Sequence, residues 1–285
     1  MIQARKIGFR TRTPLAVMGA LLIAAPALAQ STAPQPLAPG EIAPGIMRGY
    51  LSPKDLPSSV ALVPPPPADG SAAKALDDAI SKAGLDFKGT ARWALATEDA
   101  DLKFPHAAGD FSCALGAPVT ETDTPHLYLL LHRTLTDAGL ATYSAKNTYK
   151  RARPFMTDGE PTCTPEDEPA LRKDGSYPSG HTSIGWAWAL ILSEIAPDRQ
   201  DAILARGRSF GRSRIVCNVH WESDVLEGRF VGAATVARLH AAPAFEADLA
   251  AARQEQAAVR AKGLAPTRDC AAEAAALALD PHTAP

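Results

Sequence analysis

The sequence predicts an all-α fold, and two observations carry that prediction. From about residue 70 the chain is a series of alanine-rich, helix-favouring segments separated by Gly, Pro and Asp. Runs of alternating β-branched residues, which would indicate strands, are almost absent. A chain of 285 residues with 46% hydrophobic residues can form one large globular domain or two small ones. We expect a single helical-bundle domain over residues 70–262.

Caps and prolines place the predicted helices. Thr124 followed by Pro125 predicts a helix start, and leucines continue at helical spacing as far as Gly139. Pro197 and Pro243 force breaks between the later segments. The predicted helices span residues 71–83, 89–101, 125–139, 180–196, 198–212, 220–241 and 243–261.

The segment 180–196 is predicted to be the most buried helix. Ile184, Trp188, Ile191 and Ile195 form one apolar stripe, and the remaining sides are apolar too until a charged residue appears near the end. Such a helix runs through the middle of a bundle. The residues at its amino end therefore point into the protein or into a cleft.

Residues 1–29 have the pattern of a cleaved secretory signal peptide. Four basic and no acidic residues precede an apolar run, and Ala27-Leu28-Ala29 supplies the small residues of a signal-peptidase site. The apolar run is short and broken by Pro26, which argues against an uncleaved membrane anchor. We expect export to the periplasm.

The two ends of the mature chain are predicted to lie outside the bundle. Residues 30–69 are rich in proline and lack helical periodicity, so we expect an extended lead-in that either wraps the domain or stays mobile. Residues 263–285 are predicted to form a C-terminal tail.

The charge balance argues against nucleic acid or an anionic membrane as a partner. Without the four basic residues of the signal peptide, 25 Lys and Arg face 31 Asp and Glu, a net charge of about −6. No later segment reaches the roughly 18 uninterrupted apolar residues of a membrane span. A local basic cluster in such an acidic protein points to an anionic ligand.

The four cysteines predict one or two structural disulfides. All of them lie in the exported part of the chain, where disulfides form, and their spacing matches no zinc pattern. Cys217 is expected to be packed or bridged rather than reactive. The sequence leaves all three pairings open for Cys113, Cys163, Cys217 and Cys270.

Polar side chains with binding or catalytic chemistry are concentrated in three stretches. These are residues 144–154 with Lys146 and Arg153, residues 178–181 with Ser179, Gly180 and His181, and residues 211–224 with Arg214, His220 and Asp224. Three cations gathered at a helix start would repel a metal ion and attract an anion. The arginine fork matches phosphate oxygens, lysine adds a point charge, and backbone amides complete a phosphate cradle.

Each stretch also has a structural interpretation. Residues 144–154 could be the solvated basic end of a helix, and Ser179 could be an ordinary N-cap. His220 and Asp224, four residues apart, would share a helix face as a hydrogen-bonded pair, or could bind a metal with His181. Around a phosphate, by contrast, Asp224 would fix the tautomer of His220 as a nucleophile, and His181 would handle the leaving group's proton.

The order and spacing of these residues resemble a known family. Lys146 is followed after six residues by Arg153-Pro154, then by Pro178-Ser179-Gly180-His181, then by Ser213-Arg214, His220 and Asp224. This resembles the three-part signature of the type 2 phosphatidic acid phosphatase superfamily. The surrounding residues look most like the bacterial class A nonspecific acid phosphatases, and the resemblance covers roughly residues 70 to 260. It implies the helical bundle of the acid phosphatase and vanadium haloperoxidase type, with the three blocks meeting at one end.

The resemblance also implies a role for each site residue. His220 would attack phosphorus to form a phosphohistidine, Asp224 would orient it, and His181 would protonate the leaving alcohol before activating water. The groups implied to hold the phosphoryl oxygens are Lys146, Arg153, Ser179, Gly180 and Arg214. No metal and no other cofactor is implied. The other histidines are expected to be surface or core residues: His106, His126, His132, His240 and His282.

We therefore expect an exported, broad-specificity acid phosphatase that acts on phosphate monoesters and releases inorganic phosphate. Vanadate is expected to inhibit it, phosphate transfer to alcohols is an expected side activity, and the family suggests a homo-oligomer. One alternative is a vanadium-dependent haloperoxidase, because vanadate resembles the phosphorane transition state and takes the same residue types. A second alternative is a periplasmic phosphate-binding module without catalysis.

Overall fold

The computed structural model describes residues 40–43 and 45–281, which fall within one compact unit. The predicted signal peptide, the start of the lead-in and His282 lie outside the described residues. The described helices are α1 (Ser59–Leu62), α2 (Ala72–Gly84), α3 (Ala91–Glu98), α4 (Ser112–Leu115), α5 (Pro125–Leu140), α6 (Tyr143–Tyr149), α7 (Pro154–Asp158), α8 (Glu168–Leu171), α9 (Gly180–Ile195), α10 (Gln200–Val216), α11 (Glu222–Leu239), α12 (Pro243–Ala261) and α13 (Cys270–Ala278). None of them is long and apolar enough to cross a bilayer.

The prediction of an all-α fold is confirmed. Within the described ranges, strand structure is limited to β1 (Glu41–Ala43) and β2 (Ile46–Met47), which pair in antiparallel fashion in the lead-in. Each of the seven predicted helices is present. Helix α3 is shorter than predicted, ending at Glu98, and α13 forms within the segment predicted as a tail.

Two boundary differences affect the site. Helix α10 continues through Val216 instead of ending near residue 212, so Arg214 lies in its last turn. Helix α11 begins at Glu222 instead of residue 220. His220 and Asp224 were expected on one helix face, which is wrong in detail. His220 lies in the turn before α11.

Helix α9 is the centre of the bundle and packs against α5, α10 and α11. Trp188 is fully buried, and its Nε1 donates to the carbonyl oxygen of Leu131 at 3.0 Å. Helix α11 approaches α9 very closely, because a Cβ at Gly232 would lie 2.5 Å from the carbonyl oxygen of Ser183. A Cβ at Gly228 would lie 2.6 Å from that of Ser179. The backbones of the two helices are thus in contact, with the middle of α11 against the amino end of α9.

The described part of the lead-in wraps the domain. His132 Nε2 lies 3.1 Å from the carbonyl oxygen of Gly45, and Thr136 Oγ1 donates to that of Met47 at 2.7 Å. Asp137 accepts from the backbone nitrogens of Tyr50 at 2.8 Å and of Leu51 at 3.0 Å. Side chains one helical turn apart on α5 therefore hold residues 45–51 as a strap.

Replacing Asp137 by alanine is expected to lower the free energy of unfolding by about 2 kcal/mol, because two backbone donors lose their acceptor. Urea denaturation monitored by circular dichroism measures the change. Asp78→Ala is the matched control, since Asp78 is an exposed partner of Lys74 on α2 and such pairs contribute little. Equal effects for both variants would show that Asp137 does not stabilise the strap.

Two disulfides resolve the pairing that the sequence left open. Cys113 pairs with Cys270, which fastens the start of α13 beside α4. Cys163 pairs with Cys217, three residues before His220. The second bridge anchors the turn that carries His220 to the segment after α7.

Candidate active site

The three polar stretches meet at the amino end of α9. Arg153 Nη1, from the first stretch, lies 3.0 Å from Nε2 of His220 in the third. A Cβ built on Gly180, in the second stretch, would lie 3.9 Å from Cε of Lys146. The fold thus assembles residues that are separated by up to 78 positions between Lys146 and Asp224.

His220 is held in one tautomer by two buried partners. Its Nδ1 lies 3.2 Å from Asp224 Oδ2, and a carboxylate only accepts, so Nδ1 carries the proton. Its Nε2 accepts from Arg153, which only donates. Burial lowers the pKa of His220 well below its usual value, and the charges of Arg153 and Lys146 lower it further. The arrangement presents a neutral ring nitrogen to the cations around it.

Asp224 combines a structural and a positioning contact. It is the third residue of α11, and its Oδ2 accepts from the backbone nitrogen of Trp221 at 2.9 Å. This acceptor satisfies one of the free amides at the helix start. Burial raises the pKa of Asp224, and the Arg151 guanidinium opposes that rise.

Arg151 belongs to the site, and the sequence analysis did not assign it a role. Its Nη1 donates to Asp224 Oδ1 at 2.6 Å, and its Nη2 donates to Asp77 Oδ2 at 2.7 Å. Asp77 also accepts from the backbone nitrogen of Ser223 at 2.8 Å. Arg151 therefore ties α2 to the carboxylate that orients His220. No feature of the sequence separates it from its exposed neighbour Lys150.

Replacing Arg151 by methionine is expected to lower kcat about 100-fold, because a small displacement of Asp224 misplaces His220. KM should change far less, since Arg151 contacts Asp224 rather than the ligand pocket. Steady-state kinetics across pH measure both constants. Arg151→Lys should restore part of kcat, and Lys150→Met is the control. An increase in KM with unchanged kcat would show that Arg151 acts on substrate binding.

Three buried cations form a cluster around His220, the pocket, and the charge of each lowers the pKa of that histidine. The side chains of Lys146, Arg153 and Arg214 are 4%, 1% and 2% exposed. Burial lowers the pKa of Lys146 to about 8 and that of Arg214 to about 9, and the charge of Arg153 contributes to both shifts. Such cations are costly to bury unless an anion pairs with them.

The cations differ in how they are paired. Asp174 Oδ2 lies 3.0 Å from Lys146 Nζ and 3.1 Å from Arg153 Nη2. Arg214 Nε and Nη1, by contrast, have no hydrogen-bond partner among the described residues. A buried guanidinium with free donors is the strongest sign in the described part of the chain that an anion binds here.

Ser179 is the N-cap of α9. Its Oγ accepts from the backbone nitrogen of Thr182 at 3.3 Å and from Thr182 Oγ1 at 3.0 Å. This is the structural interpretation that the sequence left open. The hydroxyl hydrogen of Ser179 is not consumed by these contacts, so the group still has a donor to offer.

His181 lies one residue inside α9 and is partly buried. Its Nε2 lies 3.0 Å from the carbonyl oxygen of Ala100, which only accepts, so Nε2 carries a proton. Nδ1 is then the nitrogen that gains or loses a proton. Burial lowers the pKa of His181 well below its usual value, and the charge of Arg214 adds to the effect.

The remaining described histidines have other surroundings. His240 contacts Glu194 and Glu246 at the surface, and His132 stacks on Phe104 at a ring separation of 4.0 Å. Within residues 40–43 and 45–281, histidine, cysteine and acidic side chains form no group of three that could hold a metal ion.

Comparison with known proteins identifies relatives over most of the chain. The PAP2 superfamily matches residues 127–246. A non-specific acid phosphatase of Providencia stuartii is 47% identical over 207 residues, which cover 72% of this chain and 84% of the relative. A non-specific acid phosphatase of Salmonella typhimurium is 45% identical over 207 residues, 72% and 83% of the two chains. An acid phosphatase of Zymomonas mobilis is 45% identical over 191 residues, 67% and 72%.

Proposed function

The chain belongs to the PAP2 superfamily, and from that premise we propose that it is an exported acid phosphatase which hydrolyses many phosphate monoesters through a phosphohistidine on His220. The relatives named acid phosphatase support the reaction. The geometry supports the route, because a neutral ring nitrogen faces a pocket of cations.

The single observation that carries the proposal is the unpaired guanidinium of Arg214. Together with Lys146 and Arg153 it gives three buried positive charges in one pocket. A phosphoryl group carries negative charge on three oxygens during transfer, so these donors fit its demand. Ser179 and the backbone nitrogen of Gly180 would add neutral donors at the start of α9.

The proposed reaction has two steps. His220 Nε2 gives up its hydrogen bond from Arg153 Nη1 and attacks phosphorus, the bond from phosphorus to the ester oxygen breaks, and His181 Nδ1 gives its proton to that oxygen. In the second step His181 Nδ1 takes a proton from water, the water oxygen attacks phosphorus, and the bond from phosphorus to His220 breaks. Orthophosphate leaves and both rings return to their first state. An alcohol that replaces water would give phosphate transfer.

The proposal assigns no metal and no other cofactor, since the three cations meet the charge of the phosphoryl group. The direct test is hydrolysis of p-nitrophenyl phosphate by the purified mature protein, with and without a chelator. We expect equal activity in both and inhibition by vanadate, a mimic of the five-coordinate phosphorus. Bromide oxidation by the vanadate-loaded protein, without phosphatase activity, would favour the haloperoxidase alternative.

The rate is expected to follow a bell-shaped pH profile centred below the usual histidine pKa of about 6.5. His181 must be protonated and His220 neutral, and the pKa values of both are lowered well below the usual range. Activity therefore falls on the alkaline side as His181 loses its proton, and on the acid side as His220 gains one. The measurement is kcat/KM for p-nitrophenyl phosphate across pH.

A substrate comparison isolates the proton of His181. p-Nitrophenolate leaves readily without protonation, whereas an alkoxide does not. His181→Ala should therefore lower kcat/KM for an alkyl phosphate far more than for p-nitrophenyl phosphate, and should flatten the alkaline limb. A wild-type profile that still rises above neutral pH would show that His181 is not the acid.

We also propose that the protein is exported, a proposal that concerns residues outside the described ranges. It follows from the pattern of residues 1–29 and is tested by N-terminal sequencing of the protein from a periplasmic fraction, which should begin at Gln30. We also propose a homo-oligomer, to be measured by light scattering on the mature protein.

A further inference from the structure

We propose that Asp174 is an internal anion of the phosphate pocket, which an incoming phosphate must displace from Lys146 and Arg153, and which weakens the hold of the pocket on orthophosphate. The inference rests on the proposed function, since it assigns a product-release role within that site.

The carboxylate of Asp174 occupies hydrogen-bond donors of Lys146 and Arg153, two of the residues proposed to bind phosphate. One oxygen, Oδ2, accepts from Lys146 Nζ at 3.0 Å and from Arg153 Nη2 at 3.1 Å. The two cations are 4% and 1% exposed, whereas the side chain of Asp174 is 33% exposed. The carboxylate thus contacts the buried cations from a position that solvent partly reaches.

The contact is not needed to hold the cations in place. Arg153 Nε donates to the carbonyl oxygens of Leu171 at 3.0 Å and of Asp174 at 3.2 Å, and its Nη1 donates to that of Val219 at 3.0 Å. Lys146 Nζ also donates to the carbonyl oxygen of Gly175. These hydrogen bonds go to backbone oxygens and do not involve the carboxylate of Asp174.

A phosphate and the Asp174 carboxylate compete for the same donors. Both are anions, and two like charges on the same pair of cations repel each other. Binding of phosphate therefore includes the loss of two charge-assisted hydrogen bonds within the protein. When the product leaves, those bonds re-form, and the pocket is not left with bare buried cations at all three positions.

Arg214 shows the contrast within the same pocket. Its guanidinium has free donors among the described residues, whereas Lys146 and Arg153 are already occupied. A phosphate can meet Arg214 without displacing anything, and then exchanges with Asp174 at the other two cations. Turnover needs release of orthophosphate as well as binding of the ester, and an internal competitor favours release.

Replacing Asp174 by asparagine tests the proposal, because the amide keeps the shape of the side chain and removes its charge. We expect the Kd of orthophosphate, measured by calorimetry, to fall about tenfold, and the Ki of orthophosphate as a product inhibitor to fall with it. A purely structural role for Asp174 predicts the opposite sign, since misplaced cations bind phosphate more weakly.

Asp167→Asn is the matched control. Asp167 is exposed, and its charge acts on Arg214 through space. Its loss removes one negative charge near the pocket without removing a hydrogen bond to Lys146 or Arg153. We expect a change in the Kd of orthophosphate of less than about twofold for this variant, because an exposed charge is screened.

An unchanged or higher Kd for Asp174→Asn, in a variant that melts at the wild-type temperature, would overturn the proposal. Should the variant fail to fold, a crystal structure of the wild-type protein with orthophosphate decides: the carboxylate of Asp174 must have left Lys146 and Arg153. Calorimetry measures phosphate binding and needs no turnover, so it tests the role of Asp174 alone. The proposed function is tested separately, and it fails if the wild-type protein does not hydrolyse p-nitrophenyl phosphate.

Discussion

Replacing His220 by alanine is expected to lower kcat for p-nitrophenyl phosphate by at least about 10⁴-fold, because the variant has lost the atom that forms the covalent intermediate. Binding of orthophosphate should persist, since Lys146, Arg153 and Arg214 remain. Calorimetry with orthophosphate, beside the hydrolysis assay, separates the two effects.

The control and the intermediate make this experiment decisive. His240→Ala removes a partly exposed histidine that contacts two surface glutamates, and it should leave kcat unchanged. Wild-type protein quenched during turnover into alkaline denaturant should carry one phosphoryl group on His220, because phosphohistidine survives alkali. Hydrolysis by the His220 variant at a substantial rate would mean that the covalent route is wrong. Hydrolysis by the wild-type protein, but not by the His220 variant, would exclude the alternative of a phosphate-binding module without catalysis.

Replacing Arg214 by methionine is expected to change activity and stability in opposite directions. The loss of a donor to the transferring phosphoryl group should lower kcat/KM about 10³-fold. The free energy of unfolding in the absence of phosphate should rise by roughly 1–3 kcal/mol, because an uncompensated buried charge disappears. Burial lowers the pKa of Arg214 to about 9, so below that pH the folded protein carries a charge that the unfolded chain holds at lower cost, and removing it stabilises the fold.

Arg206→Met is the matched control on the same helix. Arg206 is equally buried, but its guanidinium is paired with the carboxylate of Asp99, from Nη1 to Oδ2 at 3.2 Å. Breaking that pair should lower the free energy of unfolding by about 3–5 kcal/mol. Urea denaturation with and without orthophosphate measures both variants. Destabilisation by Arg214→Met in phosphate-free buffer would show that Arg214 has a structural partner.

The long helices were predictable because their signals are local. Pro125, Pro197 and Pro243 fix starts and breaks, and apolar spacing identifies α9 as the central helix. The last turn of α10, beyond residue 212, was not predicted, and it contains Arg214, a charged residue that is buried in the fold. Its burial depends on partners that are distant in the sequence.

The chemistry of the pocket was predictable by residue type, whereas its pairing was not. Arg151 and Asp77 are 74 residues apart, and only the fold brings them together. Asp174 reads as an ordinary loop acid, because nothing in its neighbourhood shows that two buried cations lie within reach. The lead-in posed the same problem, since its proline content says nothing about the α5 side chains that bind it.

The close contact between α9 and α11 makes the catalytic geometry depend on two glycines, whose lack of a Cβ lets the helices approach. Gly228 and Gly232 lie 8 and 12 residues beyond His220, and neither is assigned to the phosphate pocket. A single added methyl group at either position would act as a spacer between the two helices and would shift Asp224 relative to Ser179. Variants that alter catalysis should therefore be sought at this seam as well as among the residues that bind phosphate.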